Sequence, residues 1–166
     1  MTTLDIIAPT TITLGDYTFT LKNFRRVSGH DDSLPYTATI YVNGKRTFKA
    51  FNDGWGGETN FLPVDKAGVS EQTINDYLDG DKFPWCTYAD VTLYYNRLAC
   101  VADKLADNAD LRKTFIKMKK KGKALAYNIL TGEICTAPRA LIADYILNKG
   151  YTLIYNEDGS EVEKAA

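Results

Sequence analysis

Tyr36-Thr37-Ala38-Thr39-Ile40-Tyr41-Val42-Asn43-Gly44-Lys45-Arg46-Thr47-Phe48-Lys49-Ala50 is the stretch that decides the fold. Tyr36, Ala38, Ile40 and Val42 fall at every second position, the period at which a strand presents one face. Asn43-Gly44 follows, a pair that accepts the left-handed backbone of a tight hairpin turn. Arg46, Phe48 and Ala50 alternate on the return. A two-residue loop pairs residues whose numbers sum to 87, which sets Ala38 against Lys49 and mixes the faces. A three-residue loop, Val42-Asn43-Gly44, sets Ala38 against Phe48 and Tyr36 against Ala50. Register follows the buried face, so the three-residue loop, with Gly44 in a bulge, is the expectation.

Working outward, Tyr17, Phe19 and Leu21 alternate as a preceding strand. The apolar phase slips at Phe24, which places a bulge near Asn23. Residues 1–16 read as a lead-in and 58–69 as irregular. Ser70 opens a short helix that closes at Asp79-Gly80, and Asp81–Thr87 reads as a linker. Tyr88, Val91, Tyr95, Leu98, Ala102 and Leu105 form a helical stripe spanning 88–106. Asn108 then reads as the cap of a second helix with Leu111, Phe115 and Met118 inward and Gly122 at its end. Leu125, Tyr127 and Ile129 alternate as a strand, Thr131-Gly132 turns it, and Ile134 returns. Thr136 reads as a cap with Pro138 in the first turn of a helix. That helix points Leu141, Ile142, Tyr145 and Ile146 inward and ends at Gly150. Tyr151, Leu153 and Tyr155 make a last strand, and 157–166 read as frayed. The expected fold class is therefore α+β. An N-terminal three-stranded antiparallel meander packs on helices, and a β-(β)-α-β segment follows. Residues 1–166 read as a single domain, since lobes at 17–79 and 88–156 are each marginal alone.

Composition bounds the function. The 166 residues are 45% hydrophobic and 25% charged, ordinary for a globular chain, and exclude disorder, collagen and a disulfide scaffold. The net charge of −1 gives no global attraction to nucleic acid or membrane. No run approaches the roughly 20 apolar residues of a membrane helix, and the N-terminus lacks the basic and apolar regions of a signal peptide. Cys86, Cys100 and Cys135 have no C-x-x-C spacing, and His30 is the only histidine. Free thiols in a reducing cytoplasm fit better than a zinc site. No cofactor motif is present, so no cofactor is expected.

Three features carry candidate chemistry. Asn52-Asp53-Gly54-Trp55-Gly56-Gly57 follows a strand, and its glycines allow backbone N–H groups to converge on an anion or a flat ligand. It matches neither phosphate-loop signature. Either Trp55 plugs the core, or it contacts a ligand or partner. Lys113, Lys117, Lys119, Lys120, Lys121 and Lys123 form a basic run suited to phosphates. Residues 112–166 carry +4 and residues 61–111 carry −5. Lysines also favour a helix C-terminus for its negative end, and opposite segments of two copies offer a route to a homo-oligomer. His30, Asp31 and Asp32 read chiefly as a solvated loop, and otherwise, joined by Asp53 and Glu58, as an acid–base or metal-binding corner of a small metal-dependent hydrolase or nuclease. Eleven tyrosines, crowded toward the C-terminus, read chiefly as core-edge residues. No nucleophile motif is present, so the sequence leans away from catalysis.

Tyr36 to Lys45, running on to Phe51-Asn52-Asp53-Gly54-Trp55-Gly56-Gly57, resembles small proteins encoded by bacteriophages and prophages that share a strand, an N/D-G-K turn, a strand and an N-D-G-x-G-G loop. The likeness covers about a quarter of the chain. It implies a phage or mobile-element accessory protein in the bacterial host cytoplasm, one that binds a host protein or a small nucleotide signal to blunt defence. It transfers no activity. The expectation is a non-enzymatic binding module using Asn52 to Gly57. Nucleic-acid binding through Lys117, Lys119, Lys120, Lys121 and Lys123 is the first alternative, and the small hydrolase the second.

Overall fold

The computed structural model describes residues 1–27, 35–55, 57–65, 67–79, 96–119 and 122–164. The fold is α+β with two antiparallel sheets. The chain divides into two compact units, one of Thr10–Asp107 and one of Met1–Pro9 with Asn108–Ala166.

The larger unit is built on a meander of β1 (Thr11–Leu14), β2 (Tyr17–Arg26), β3 (Tyr36–Val42), β4 (Lys45–Asn52) and β5 (Asn60–Pro63), ordered as in sequence. The expected three strands are joined by β1, from the supposed lead-in, and by β5, from the supposed irregular stretch. Ile12, Phe19, Ile40, Val42, Phe48 and Ala50 are buried along one face. The bulge falls where the phase slip places it, between Lys22 and Arg25, with Asn23 at φ +56°.

The hairpin register differs from the expectation. Asn43 and Gly44 both have positive φ, at +50° and +78°, so the loop has two residues. Val42 pairs Lys45 and Tyr41 pairs Arg46, then the register shifts so that Ile40 meets Phe48 and Ala38 meets Ala50. Thr47 is the extra residue, its hydroxyl donating to the Lys45 carbonyl at 2.8 Å. The faces are reconciled by a bulge inside the strand instead of by a longer loop.

Helix α2 (Glu71–Leu78) starts at Ser70, whose hydroxyl accepts from the Thr73 N–H at 3.1 Å, and buries Ile74 and Leu78. The expected cap at Gly80 and the segment 80–95 lie outside the described residues, so Tyr88, Val91 and Tyr95 of the helical stripe do too. The rest of the stripe, Leu98, Ala102 and Leu105, is buried in one continuous helix α3 (Arg97–Lys119). Asn108 is not a cap but a buried mid-helix residue, its amide donating to the Pro9 carbonyl at 2.9 Å. Asn96 caps α3 instead, accepting from the Ala99 N–H at 3.1 Å.

In the smaller unit β6 (Ala124–Tyr127) lies between β7 (Ile134–Ala137) and β8 (Thr152–Tyr155), with α4 (Arg139–Lys149) between β7 and β8 in sequence. Leu125, Ile154 and Tyr155 pack with Leu4 and Ala8 around α1 (Thr3–Ile7) and with Phe115 of α3. Ala124 and Ala126 pack with Ile142 of α4 and with Tyr151. Thr2 and Asp5 cap α1 reciprocally. Arg112 donates to Asp5 at 2.7 Å and to the Ala8 carbonyl at 3.0 Å, neutralising the negative end of α1.

Four expectations change here. β6 stops at Tyr127, because Asn128 opens a turn in which Ile129 and Leu130 are exposed. Thr136 lies within β7, and Pro138 itself stands at the helix start. Leu141 faces water, while Ile142 is buried. The tail is not frayed, since Thr3 N–H donates to the Val162 carbonyl at 2.8 Å and Val162 N–H to the Ile154 carbonyl at 3.0 Å. No helix among the described residues is long and apolar enough to cross a membrane.

Candidate functional site

The loop after β4 is held from beneath. Asn52 is buried at the strand end, and its Oδ1 accepts from the Gly54 N–H at 2.8 Å. Its Nδ2 donates to the Thr59 hydroxyl at 3.2 Å. Gly54 has φ +79°, and a Cβ there would stand 3.0 Å from the Pro35 side chain, so glycine is required. Asp53 Oδ1 accepts from the Trp55 N–H at 3.1 Å. These bonds form two successive side-chain-closed turns. They leave Trp55 68% exposed, so it does not plug the core. Gly57 is described and Gly56 lies outside the described residues.

Below the loop Asp103 of α3 accepts from the Tyr36 hydroxyl at 2.9 Å and from the Thr59 hydroxyl at 2.5 Å. Burial raises the Asp103 carboxyl above its ordinary range, the two hydroxyl donors oppose that, and the Glu58 charge adds to it. Burial likewise raises the Tyr36 phenol, with the Asp103 charge next. Tyr36, Asn52, Thr59 and Asp103 thus form a connected polar network that fixes the loop to the sheet and to α3.

Lys113 and Lys117 are exposed on α3 and Lys123 is exposed before β6, whereas Lys120 and Lys121 lie outside the described residues. Lys119 Nζ stands 5.2 Å from the Tyr155 ring centre, and its stem lies against Gly159. His30, Asp31 and Asp32 lie outside the described residues. Of their supposed companions, Asp53 holds the Trp55 turn, and Glu58 accepts from the Asn96 N–H at 3.4 Å. Among the described residues no three His, Cys, Asp or Glu side chains are placed to hold a metal ion. Cys135 is a free thiol, and Cys86 lies outside the described residues.

Sequence reasoning missed the outer face of the five-stranded sheet. The ladders align Thr20, Tyr41 and Arg46 in one cross-strand row. Lys22, Thr39, Lys49 and Leu62 make the next, and Arg25, Thr37, Phe51 and Asn60 a third. With Thr11, Thr13 and Thr18 from the first hairpin, the outward positions hold four cations, six threonines and no carboxylate. An open depression of about 460 Å³ lies over Thr37 and Thr39, bounded by Arg25, Lys49, Phe51 and Leu62. Trp55 follows directly from the third row, at the same end of the sheet as Phe51. The legible signal was the missing acid: each outward position of β2 to β4 is neutral or basic in a chain of net charge −1.

Comparison with protein-family models, with curated proteins and with solved structures returns no match, so the assignment of function rests on this geometry.

Proposed function

We propose that the chain is a non-enzymatic binding module that contacts its ligand through the loop Asn52 to Gly57. The observation that carries this reading is Trp55, 68% exposed on a loop whose every described turn is braced by buried or side-chain hydrogen bonds. An exposed large aromatic on a rigid support loses little entropy on binding and offers both an apolar face and an N–H donor. The likeness of 36–57 to phage and prophage proteins supports an accessory role in a bacterial host, with a host protein or a nucleotide as ligand.

The test sets immobilised wild-type chain beside Trp55→Ala in a bacterial cytosolic extract, with proteins and small molecules eluted and identified by mass spectrometry. Thermal unfolding of both should coincide, because Trp55 is outside the core. Species held by wild type and lost from the variant support the reading. Equal retention moves the contact elsewhere, a collapsed variant makes the loop structural, and turnover of a retained species makes the chain an enzyme. Each of these overturns it.

A further inference from the structure

The outer face of the five-stranded sheet carries a second, independent pattern. Its cations stand in two rails, Lys22 and Arg25 on β2 and Arg46 and Lys49 on β4. Strands lie about 4.8 Å apart, so the rails are separated by roughly 10 Å. Between them β3 carries Thr37, Thr39 and Tyr41; exposed Thr37 and buried Thr39 line the open depression, and half-buried Tyr41 stands in the next row. None of the four cations has a carboxylate partner within 4 Å among the described residues. Lys22 Nζ lies 4.5 Å from the Tyr41 ring centre, and Phe51 exposes its ring beside Arg25 and Thr37.

We infer that this face binds single-stranded nucleic acid, with the strand lying along β3 between the two rails. The reasons are chemical. Uncompensated cations attract a polyanion and draw most of the free energy from released counterions. Phe51 and Tyr41 are stacking platforms for bases, which an acidic peptide does not use. Threonine hydroxyls donate to phosphate oxygens or accept from base edges. A duplex fits poorly, since its major groove admits a helix or a two-stranded ribbon. Five strands at about 4.8 Å spacing span roughly 19 Å. The inference rests on the chain being a binding module and names its ligand class.

Fluorescence anisotropy with labelled 15-mers of deoxythymidine and of uridine tests this. Binding is expected at low salt, weakening steeply as salt rises. Arg25→Glu and Lys49→Glu should each lower affinity at least tenfold and flatten the salt dependence. Phe51→Ala should lower affinity about tenfold with the salt slope kept. These side chains are exposed, and circular dichroism of each variant verifies the fold. Four results overturn the proposal. They are no binding at low salt; equal binding by a duplex of the same length or by polyglutamate; loss of binding on Lys117→Glu or Lys123→Glu but not on Lys49→Glu; and saturation by the mononucleotide at the same concentration as the strand. If the oligonucleotides fail while Trp55-dependent retention from extract persists, only this inference falls. If both fail, the binding-module reading falls with it.

Discussion

The five-stranded sheet buries one face and wets the other, whereas the three-stranded sheet is covered on both. In β3 and β4 the inward Ala38, Ile40, Phe48 and Ala50 are buried and the outward Thr37 and Lys49 are exposed, while Thr39 and the bulge residue Thr47 are buried as well. Along β6 it does not: Ala124, Leu125 and Ala126 are all buried, the alanines with α4 and Leu125 with α1 and α3. A sheet covered twice has no surface left to offer, so the smaller unit spends its strands on its own core. The open face of the larger unit is free to carry a function. The strongest way to break that contrast is a lysine scan. Lysine at Leu125 and lysine at its neighbour Ala126 should both unfold the chain, each costing more than about 4 kcal/mol because a charge is buried unpaired. In β3 the two faces should differ: Ile40→Lys unfolds, and Thr37→Lys at an exposed outward position stays within about 0.5 kcal/mol of wild type. Urea midpoints followed by circular dichroism measure both. Tolerance of Ala126→Lys would show that α4 does not cover β6.

The two units also set carboxylates in opposite ways. Asp103 is raised, first by burial, while Asp5 is lowered, first by the Thr2 hydroxyl and then by the Thr2 N–H, with Arg112 contributing. Asp103→Ala removes the shared acceptor of Tyr36 and Thr59 and should cost about 1–3 kcal/mol, because the two hydroxyls lose their carboxylate and keep each other and the Asn52 amide. The pH dependences have opposite signs. The unfolded chain releases these protons near pH ~3.9. Asp103 binds its proton more tightly when folded, so its contribution is full below that pH and is lost as pH rises through its higher folded value. Asp5 contributes above that pH and is lost as pH falls through its lower folded value. The stability gap between wild type and Asp103→Asn should therefore shift against wild type on going from pH 3 to pH 7. The gap between wild type and Asp5→Asn should shift in its favour. Parallel profiles for the two variants would refute the contrast.

Legibility followed the same division. Where one face is wet, the alternation of β2 to β4 and the phase slip at Asn23 were visible, because water imposes the pattern. The hairpin register was not. The faces need one extra residue, which fits either in the loop or at Thr47, and the positive φ of Asn43 decides for the strand. Where both faces are covered, apolar residues lose their phase, so the run through Ile129 read as strand although Asn128 ends it. Asn108 read as a cap from its type alone, while its partner, the Pro9 carbonyl, is 99 residues away in sequence. The loop Asn52 to Gly57 was found by its composition. The sheet face was not, since its residues are ordinary one at a time and stand together only after the strands are paired.

The smallest effect separates two asparagines that do similar work in the two units. Asn43 accepts from the Thr18 N–H at 2.7 Å and donates to the Asp16 carbonyl at 3.0 Å, locking the β3–β4 turn to the β1–β2 turn. Asn128 accepts from the Leu130 N–H at 2.9 Å and donates to the Lys149 carbonyl at 2.9 Å, locking the β6–β7 turn to the end of α4. Asn43 is exposed, so water replaces its bonds when it is removed. Asn128 is buried, and its removal leaves backbone groups without a partner. Asn43→Gly keeps the left-handed turn and should cost only about 0.5–1 kcal/mol, whereas Asn128→Ala should cost about 1–3 kcal/mol. Hydrogen exchange distinguishes the sites further. The Thr18 amide should lose protection in the first variant, and the Leu130 and Thr131 amides in the second. Equal costs would mean that the turn of the open sheet is as dry as that of the covered one.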